Sequence, residues 1–218
     1  MKKTAFFLLA WQLILSGCAS SHFSLVDPEY IFKSDRIAVV SGLDDEVSNY
    51  LAAELSKELN AKTTFKVMPA EEIIRRVPGY PMKIQGPYSA SYFGIDEDYT
   101  RTDKNRIKKI MSKLDVDYLY VLWAPSVVQS SNSIEIYIIT QLFEIPSFRD
   151  IAHSSYYIKY TAGDAFSIYR PVKNHISNAT KKAVSIGGSK NMEDAVRDTA
   201  ERAVKEIIEA TGKGKPGR

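Results

Sequence analysis

Hydrophobic positions along the first part of the chain alternate between the periods of a strand and a helix. Residues 36–40 form a short run of β-branched and apolar side chains, which predicts a buried strand. In residues 47–59 apolar side chains recur every four residues with charged ones between them, which predicts an amphipathic helix. Asp44 and Asp45 precede this helix and can cap it, and Asn60 is expected to end it.

The same alternation continues through the middle of the chain. Residues 63–68 predict a second strand, and residues 70–77 predict a short helix that follows Pro69. Asp103 begins another helix, with apolar positions on one face and lysines on the others. Residues 117–123 predict an apolar strand that ends at Ala124 and Pro125.

Three elements are predicted toward the carboxyl terminus. Residues 133–144 alternate and residues 151–160 return as a tyrosine-rich strand, so the two predict an antiparallel hairpin. Residues 166–184 are interpreted as a helix that ends at Gly187, Gly188 and Ser189. The last helix has the clearest stripe, with Asn191 as a cap and Gly212 as its stop.

The order of these elements predicts an α/β fold: one domain with a mixed β-sheet of about five strands and helices packed on it. The predicted organisation is a signal peptide over 1–17, a lipidated tether over 18–33, the α/β domain over 34–211 and a basic flexible tail over 212–218.

The charge of the chain is nearly balanced once its ends are set aside. The full sequence has 29 basic and 26 acidic side chains, but Lys2 and Lys3 lie in the predicted signal peptide and three further cations lie in the tail. A nucleic-acid-binding protein needs a concentrated basic face, so the balance argues against a nucleic-acid partner.

The amino terminus has the three regions of an export signal. Lys2 and Lys3 are followed by an apolar run over residues 5–15 and by small residues before Cys18, the single cysteine of the chain. The apolar run is about half of the roughly 20 residues that a membrane-spanning helix needs.

The segment Leu15-Ser16-Gly17-Cys18 resembles the lipobox of bacterial lipoprotein signal peptides. That resemblance implies cleavage between Gly17 and Cys18, a diacylglycerol on the Cys18 thiol and acylation, such as palmitate, of the new amino terminus. Ala19 follows Cys18 where an aspartate would favour the inner membrane, so we expect the protein on the outer membrane, facing the periplasm. The lipid bilayer is thus one expected partner.

Residues 78–100 contain three prolines and three glycines, show no regular period and are rich in aromatic side chains. A long loop of this composition predicts an ordered binding surface, since disordered segments are poor in aromatic residues. The alternative is that these rings cover the core as a lid. The candidate partner-binding residues are Tyr80, Tyr88, Tyr92, Phe93 and Tyr99.

Catalytic and metal-binding patterns are weak in this sequence. His22, His153 and His175 have no neighbours at metal-ligand or catalytic spacing, and the triplet 96–98 lacks the glycine of a calcium loop. Residues 187–190 lack the spacing of a phosphate loop, and the carboxylates at 44–46 are explained by helix capping. We therefore expect no enzyme activity, no cofactor and no metal.

The strand at 36–40, the helix at 47–59, the strand at 63–68 and the strand at 117–123 with its following hairpin resemble envelope lipoproteins with a TolB amino-terminal-like α/β domain. That group includes the curli secretion channel lipoprotein and activator lipoproteins of peptidoglycan synthases. The resemblance implies a non-catalytic scaffold that docks an envelope protein partner. The alternative is a ring- or pore-forming subunit, and thus a homo-oligomer, that contributes the hairpin 133–160 to a membrane pore.

Overall fold

The structure, a computed structural model, describes residues 23–89, 98–99, 102–129, 133–161, 166–169, 184–186 and 192–216. Within these ranges the elements follow in the order β1 (Phe23–Leu25), β2 (Arg36–Ser41), α1 (Glu46–Lys62), β3 (Lys66–Val67), α2 (Ala70–Arg76), β4 (Tyr88–Ser89), β5 (Asp98–Tyr99), α3 (Lys104–Met111), β6 (Tyr118–Gln129), β7 (Ser133–Glu144), β8 (Arg149–Thr161), β9 (Phe166–Tyr169), β10 (Val184–Ile186) and α4 (Met192–Thr211).

Eight of the described strands form one mixed sheet in the order β10-β9-β8-β7-β6-β2-β3, with β1 also paired to β8. Strands β6, β2 and β3 are parallel, and from β6 to β10 each neighbouring pair is antiparallel. This confirms the predicted α/β fold with a single mixed sheet. The strands beyond the expected five are β1, β9 and β10, which have three or four residues each.

Both faces of the sheet are covered by helices, and the alternation of side chains in β7 divides its residues between two cores. The long-helix face is the side that packs against α1 and α4; it includes Ile136, Ile138 and Leu142. The short-helix face is the side whose apolar core includes side chains of α2 and α3, together with Ile139 and Phe143. Each strand that lies between two helical layers therefore buries both of its sides.

Two predicted boundaries are wrong. Strand β6 continues through Pro125 to Gln129, because a bulge between Trp123 and Ser126 accommodates the proline outside the regular hydrogen-bond ladder. The helix predicted over 166–184 is replaced at both ends by strands, β9 and β10. The backbone of β9 pairs antiparallel with the edge of β8, where Tyr169 lies opposite Tyr157 in the register.

The predicted tether contributes to the domain from Phe23 onward. Phe23 is 1% exposed in β1, and Phe32 packs edge-on against Phe65 and Tyr118. Within the predicted tether over 18–33, the described residues from Phe23 onward therefore belong to the domain, because these two rings are part of its core.

The predicted flexible tail is also attached to the domain through Lys215. The backbone N–H of Thr64 donates to the carbonyl of Lys213 at 2.7 Å, and that of Lys215 donates to the carbonyl of Lys62 at 2.9 Å. The Lys213 ammonium lies 2.7 Å from the carboxylate of Asp35.

Among the described residues, no helix combines the length and the apolar character needed to cross a bilayer.

Candidate docking site

Open α/β sheets commonly bind ligands beyond the carboxyl ends of their parallel strands, and in this protein that position is covered by its own chain. The segment 80–87 crosses the end of β2. The N–H of Ile84 donates to the carbonyl of Gly42 at 2.8 Å, and the indole N–H of Trp123 donates to the carbonyl of Ile84 at 2.8 Å. The end of β2 is thus closed by protein.

The carboxylates that follow β2 have the capping role expected of them. The side chain of Asp45 accepts a hydrogen bond from the N–H of Ser48 at 2.9 Å, in the first turn of α1. An aspartate at this position satisfies a backbone donor that the helix leaves unpaired.

Tyr80, one of the five candidate partner-binding residues, has the contacts of a lid on the core. Its ring is partly buried against the short-helix core, and its hydroxyl accepts a hydrogen bond from the N–H of Ser41 at 2.8 Å. Burial raises the pKa of Tyr80, and the hydrogen bond from Ser41 opposes that shift. Tyr80 therefore contributes to the packing of the short-helix core.

Tyr88 and Tyr99 are brought together by a two-stranded ribbon. Strands β4 and β5 are antiparallel, with Tyr88 directly opposite Tyr99 and Ser89 opposite Asp98. Tyr92 and Phe93 lie outside the described residues, as do Gly17, Cys18 and the signal peptide.

A polar depression of about 780 Å³ lies at the base of this ribbon. Pro87, which precedes β4, and Thr102, which follows β5, are both part of its wall, so residues on both flanks of the ribbon line the depression. The residues that line it come from the ribbon flanks, α3, β7 and β8: Gln85, Pro87, Thr102, Asp103, Lys104, Asn105, Gln141 and Asp150.

A second bulge, in β8, determines which side chains form the floor of the depression. Leu142 pairs with Ala152 and Phe143 pairs with Asp150, so Ile151 is the extra residue of β8. Ile151 and Ala152 both enter the long-helix core, while Asp150 reaches Gln141 on the other side. Bulges of this kind redirect a side chain where a regular strand would not.

Hydrogen bonds connect the floor to the ribbon. The Gln141 amide N–H donates to the Asp150 carboxylate at 2.8 Å, and the Thr102 hydroxyl donates to the Gln141 carbonyl oxygen at 2.5 Å. The N–H of Asp103 donates to the carbonyl of Gln85 at 3.0 Å. The side chain of Asp103 caps α3 by accepting from the N–H of Arg106 at 3.0 Å.

The floor of the depression carries the half-buried carboxylate of Asp150. Burial raises the pKa of Asp150, and the charges of His153 and Lys104 and the hydrogen bond from Gln141 oppose this shift. One oxygen of Asp150, Oδ1, is buried with no hydrogen-bond partner among the described residues. An acid on the floor, a lysine on the wall and amide groups between them suit the recognition of a polar partner segment.

The likenesses of this chain to known proteins are to solved structures. No protein-family model matches it, and no curated protein matches it. A variant of the dodecameric PelC from Paraburkholderia phytofirmans aligns over 85% of this chain and 97% of its own, at 5% identity and a TM-score of 0.43. Lipoprotein GNA1162 from Neisseria meningitidis aligns over 61% of this chain and 86% of its own, at 10% identity and a TM-score of 0.36. At these TM-scores the likeness carries no inference about function.

Sequence reasoning did not identify Thr102, Gln141 or Asp150. A signal was present at Gln141, a polar residue between Ile139 and Phe143 on one side of β7. His153 lies opposite Gln141 in the register and is exposed, and His22 and His175 lie outside the described residues. No cluster of three potential metal-ligating side chains occurs in the part of the chain that the structure describes.

Proposed function

We propose that this protein is a lipid-anchored scaffold of the cell envelope that docks another periplasmic or outer-membrane protein on its short-helix face. The observation that carries the proposal is that Pro87 and Thr102, which flank the ribbon of Tyr88 and Tyr99, both line the polar depression. Protein interfaces combine aromatic anchors with a polar rim, and the ribbon and the depression supply these two components side by side.

The chemistry of the depression supports binding without catalysis. Activation of a hydroxyl nucleophile requires a base within hydrogen-bond reach. The Thr102 hydroxyl donates to an amide oxygen, and the Asp103 carboxylate accepts from a helix N-terminus. Both groups thus hold structure in place, and we infer a non-enzymatic role with no cofactor.

Attachment to the outer membrane through acylated Cys18 is part of the proposal. Several acyl chains hold a protein on a bilayer far more firmly than a single chain does. We expect Cys18→Ala to remain unprocessed or to become soluble, which fractionation with a high-salt wash would detect. A variant that still sediments with outer membranes would show that the anchor lies elsewhere. Membership of the TolB amino-terminal-like group stays a prediction.

The alternative of a pore-forming subunit has less support from the hairpin. Ile136, Ile138 and Leu142 are at most 2% exposed, because they pack in the long-helix core. The apolar side of β7 is therefore already occupied inside the domain. A mass measurement of the mature protein in detergent by size-exclusion chromatography with light scattering would distinguish a monomer or dimer from a ring.

Site-specific crosslinking tests the docking face. A photoreactive amino acid at Asn105, which is exposed in the depression, should yield a discrete protein adduct in intact cells, whereas the same amino acid at exposed Lys57 on α1 should not. The adduct should disappear when Tyr88, Tyr92 and Phe93 are all changed to Ser, with little change in the melting temperature.

Tyr80→Ser is the matched control, since its ring covers the core: it should lower the melting temperature and leave the adduct in place. Two outcomes would overturn the proposal. One is a triple variant that melts normally and still forms the adduct. The other is an equal adduct from Lys57.

A further inference from the structure

The chain between the predicted lipid attachment and the folded domain is short. Four residues, 19–22, separate Cys18 from Phe23. Phe23 is fixed in the domain, because its side chain is 1% exposed and its backbone pairs with Ser154 of β8. Five residue steps of at most 3.6 Å allow the α carbons of Cys18 and Phe23 to separate by at most about 18 Å.

Along the direction of its strands, the sheet extends farther from Phe23 than the roughly 18 Å that the tether can span. Strand β8 continues from Ser154 to Thr161, which lies opposite Ser133 at the start of β7. At about 3.3 Å per residue, this end of the hairpin lies about 23 Å from the level of Phe23. A domain that stood on this end would need a tether longer than 18 Å, or it would push the hairpin into the bilayer.

The path along β8 toward that end is also occupied. Strands β1 and β9 pair with the same edge of β8, since β7 takes the other edge along its whole length. Tyr169 of β9 lies opposite Tyr157, three residues beyond the partner of Phe23. The edge of β8 therefore offers no continuous track from β1 to the end of the hairpin.

We propose that the bilayer lies against the sheet edge formed by β1, with Val26 at the lipid surface. The inference depends on the lipidation of Cys18 that the proposed function includes. Val26 directly follows β1, its N–H donates to the carbonyl of Ile151 at 2.9 Å, and its side chain is 56% exposed. It lies about 10 Å from Phe23 along the strand direction, well within reach of the anchor.

This orientation has a consequence for docking. When a sheet rests on its edge, both of its faces stand roughly upright on the membrane. The depression on the short-helix face is then open to the periplasm beside the membrane. The end of the hairpin where Ser133 lies opposite Thr161 extends along the membrane surface. A partner would approach from the side, parallel to the bilayer.

Spin labels on three matched residues test the orientation. Val26, Ile74 and Val128 are large apolar residues with exposures of 56%, 54% and 54%, and they lie at the β1 edge, on α2 and near the hairpin end. Each is changed to Cys in turn, labelled with a nitroxide in the acylated protein, and reconstituted in vesicles of phosphatidylethanolamine and phosphatidylglycerol. Relative accessibility to oxygen and to a water-soluble nickel complex then reports the distance from lipid.

The label at Val26 should report the lipid interface, and the labels at Ile74 and Val128 should report water. Insertion of about ten Gly and Ser residues between His22 and Phe23 should return the label at Val26 to water, since the longer tether releases the domain. A label at Val128 closer to lipid than that at Val26, or three aqueous labels, would overturn the orientation. An interfacial label at Val26 in the extended variant would overturn the short tether as its cause.

Mass spectrometry of the mature amino terminus separates this inference from the proposed function. A chain with an unmodified Cys18 would overturn the lipid anchor and the orientation together. An acylated chain with the wrong label pattern would overturn the orientation alone, and the docking face would be unaffected.

Discussion

The two faces of the sheet differ in the length of the helices that cover them. On the long-helix face α1 and α4 have 17 and 20 residues, and their cover extends to Ile138 and Tyr156. On the short-helix face α2 and α3 have 7 and 8 residues, and part of β7 and β8 remains beyond them. Gln141 is half-buried there and His153 is exposed.

The two faces also differ in how their polar groups are hydrogen-bonded. In the long-helix core the Tyr120 hydroxyl donates to Thr140 at 2.9 Å, and Thr140 and Ser154 share a hydrogen bond of 2.5 Å. Buried polar groups must pair in this way because they are cut off from water. On the short-helix face the polar floor lies beside open space, so its hydrogen-bonding groups can be shared with a partner. Incomplete helical cover thus creates the depression that we propose as the docking site.

The largest expected effect on stability comes from a substitution that disrupts the long-helix core. Ile207 of α4 is 4% exposed, so Ile207→Asp would bury a carboxylate without a partner cation. We expect a loss of roughly 3 kcal/mol or more in the free energy of unfolding, and a drop in melting temperature of about 10 °C for a domain of this size.

Lys205→Asp on the exposed side of α4 is the control, and its effect should stay within about 0.5 kcal/mol. An unchanged midpoint for Ile207→Asp would mean that the apolar stripe of α4 is not buried in solution, and the comparison of the two faces would fail.

The next effect concerns the packing of the short-helix face. A Cβ atom at Gly42 would lie 2.1 Å from the indole nitrogen of Trp123, whose ring is fully buried. Gly42→Ala should therefore cost about 1–3 kcal/mol, measured by denaturant unfolding. Trp123 is the one tryptophan after the predicted signal peptide, so its fluorescence should report the displaced ring in the mature protein.

Gly79→Ala separates crowding from backbone strain. Gly79 has a positive φ of 80° and open space around its missing side chain. We expect a loss of roughly 1 kcal/mol without a change in tryptophan emission. If Gly42→Ala leaves both stability and emission unchanged, the close approach of β2 to Trp123 is wrong.

A smaller effect tests the polar groups of the long-helix core. Burial raises the pKa of Tyr120 to about 12. The folded state therefore holds its proton longer than the unfolded state, and this contribution to stability is complete below pH 10 and is lost as the pH rises to about 12. Tyr120→Phe should cost about 1 kcal/mol at pH 7 and weaken the alkaline decline in stability.

The decline should not vanish in that variant, because burial also raises the pKa of Tyr156 well above its usual value. Melting curves between pH 8 and 12 measure both effects, and the double change Tyr120→Phe and Tyr156→Phe should flatten the decline further. An alkaline decline equally steep in the wild type and in the double variant would contradict the burial of these hydroxyls.

The elements that the sequence predicted well are those determined by nearby residues. The stripe of α4 and its end at Gly212, which has a φ of 67°, follow from helix periodicity and from the left-handed conformation that glycine adopts. The cap at Asp45 is equally local. These signals lie within one helix and its flanks, so one sequence is sufficient to read them.

Features that depend on distant residues were missed for the same reason. The pairing of β9 with β8 and the ion pair between Lys213 and Asp35 require knowledge of which segments meet. The floor of the depression joins Thr102, Gln141 and Asp150 through a bulge, and no local spacing indicates a bulge at that position. The aromatic loop over 78–100 was predicted as a binding surface, whereas the depression lined by Pro87 and Thr102 depends on which distant segments meet in the fold.

The smallest expected effect on stability is at Asp150. This residue also gives the sharpest test of the difference between the two faces of the sheet. Burial raises the pKa of this carboxyl, so the folded state binds its proton more strongly than the unfolded state. Stability therefore falls as the pH rises from the usual aspartate range through the raised pKa, and the ionised group is a burden at pH 7. Asp150→Asn keeps an oxygen for the Gln141 amide and removes that charge, so stability at pH 7 should be unchanged or slightly higher.

Asp117→Asn supplies a control of opposite sign. The Arg36 guanidinium lowers the pKa of Asp117, so this carboxylate stabilises the fold at neutral pH and its contribution is lost as the pH falls through the lowered pKa. Asp117→Asn should then lower the melting temperature at pH 7.

If Asp150 serves docking, Asp150→Asn should weaken the crosslink from Asn105 although the domain is no less stable. A variant that loses stability and keeps the crosslink would make Asp150 a structural residue and would move the docking surface to the ribbon alone.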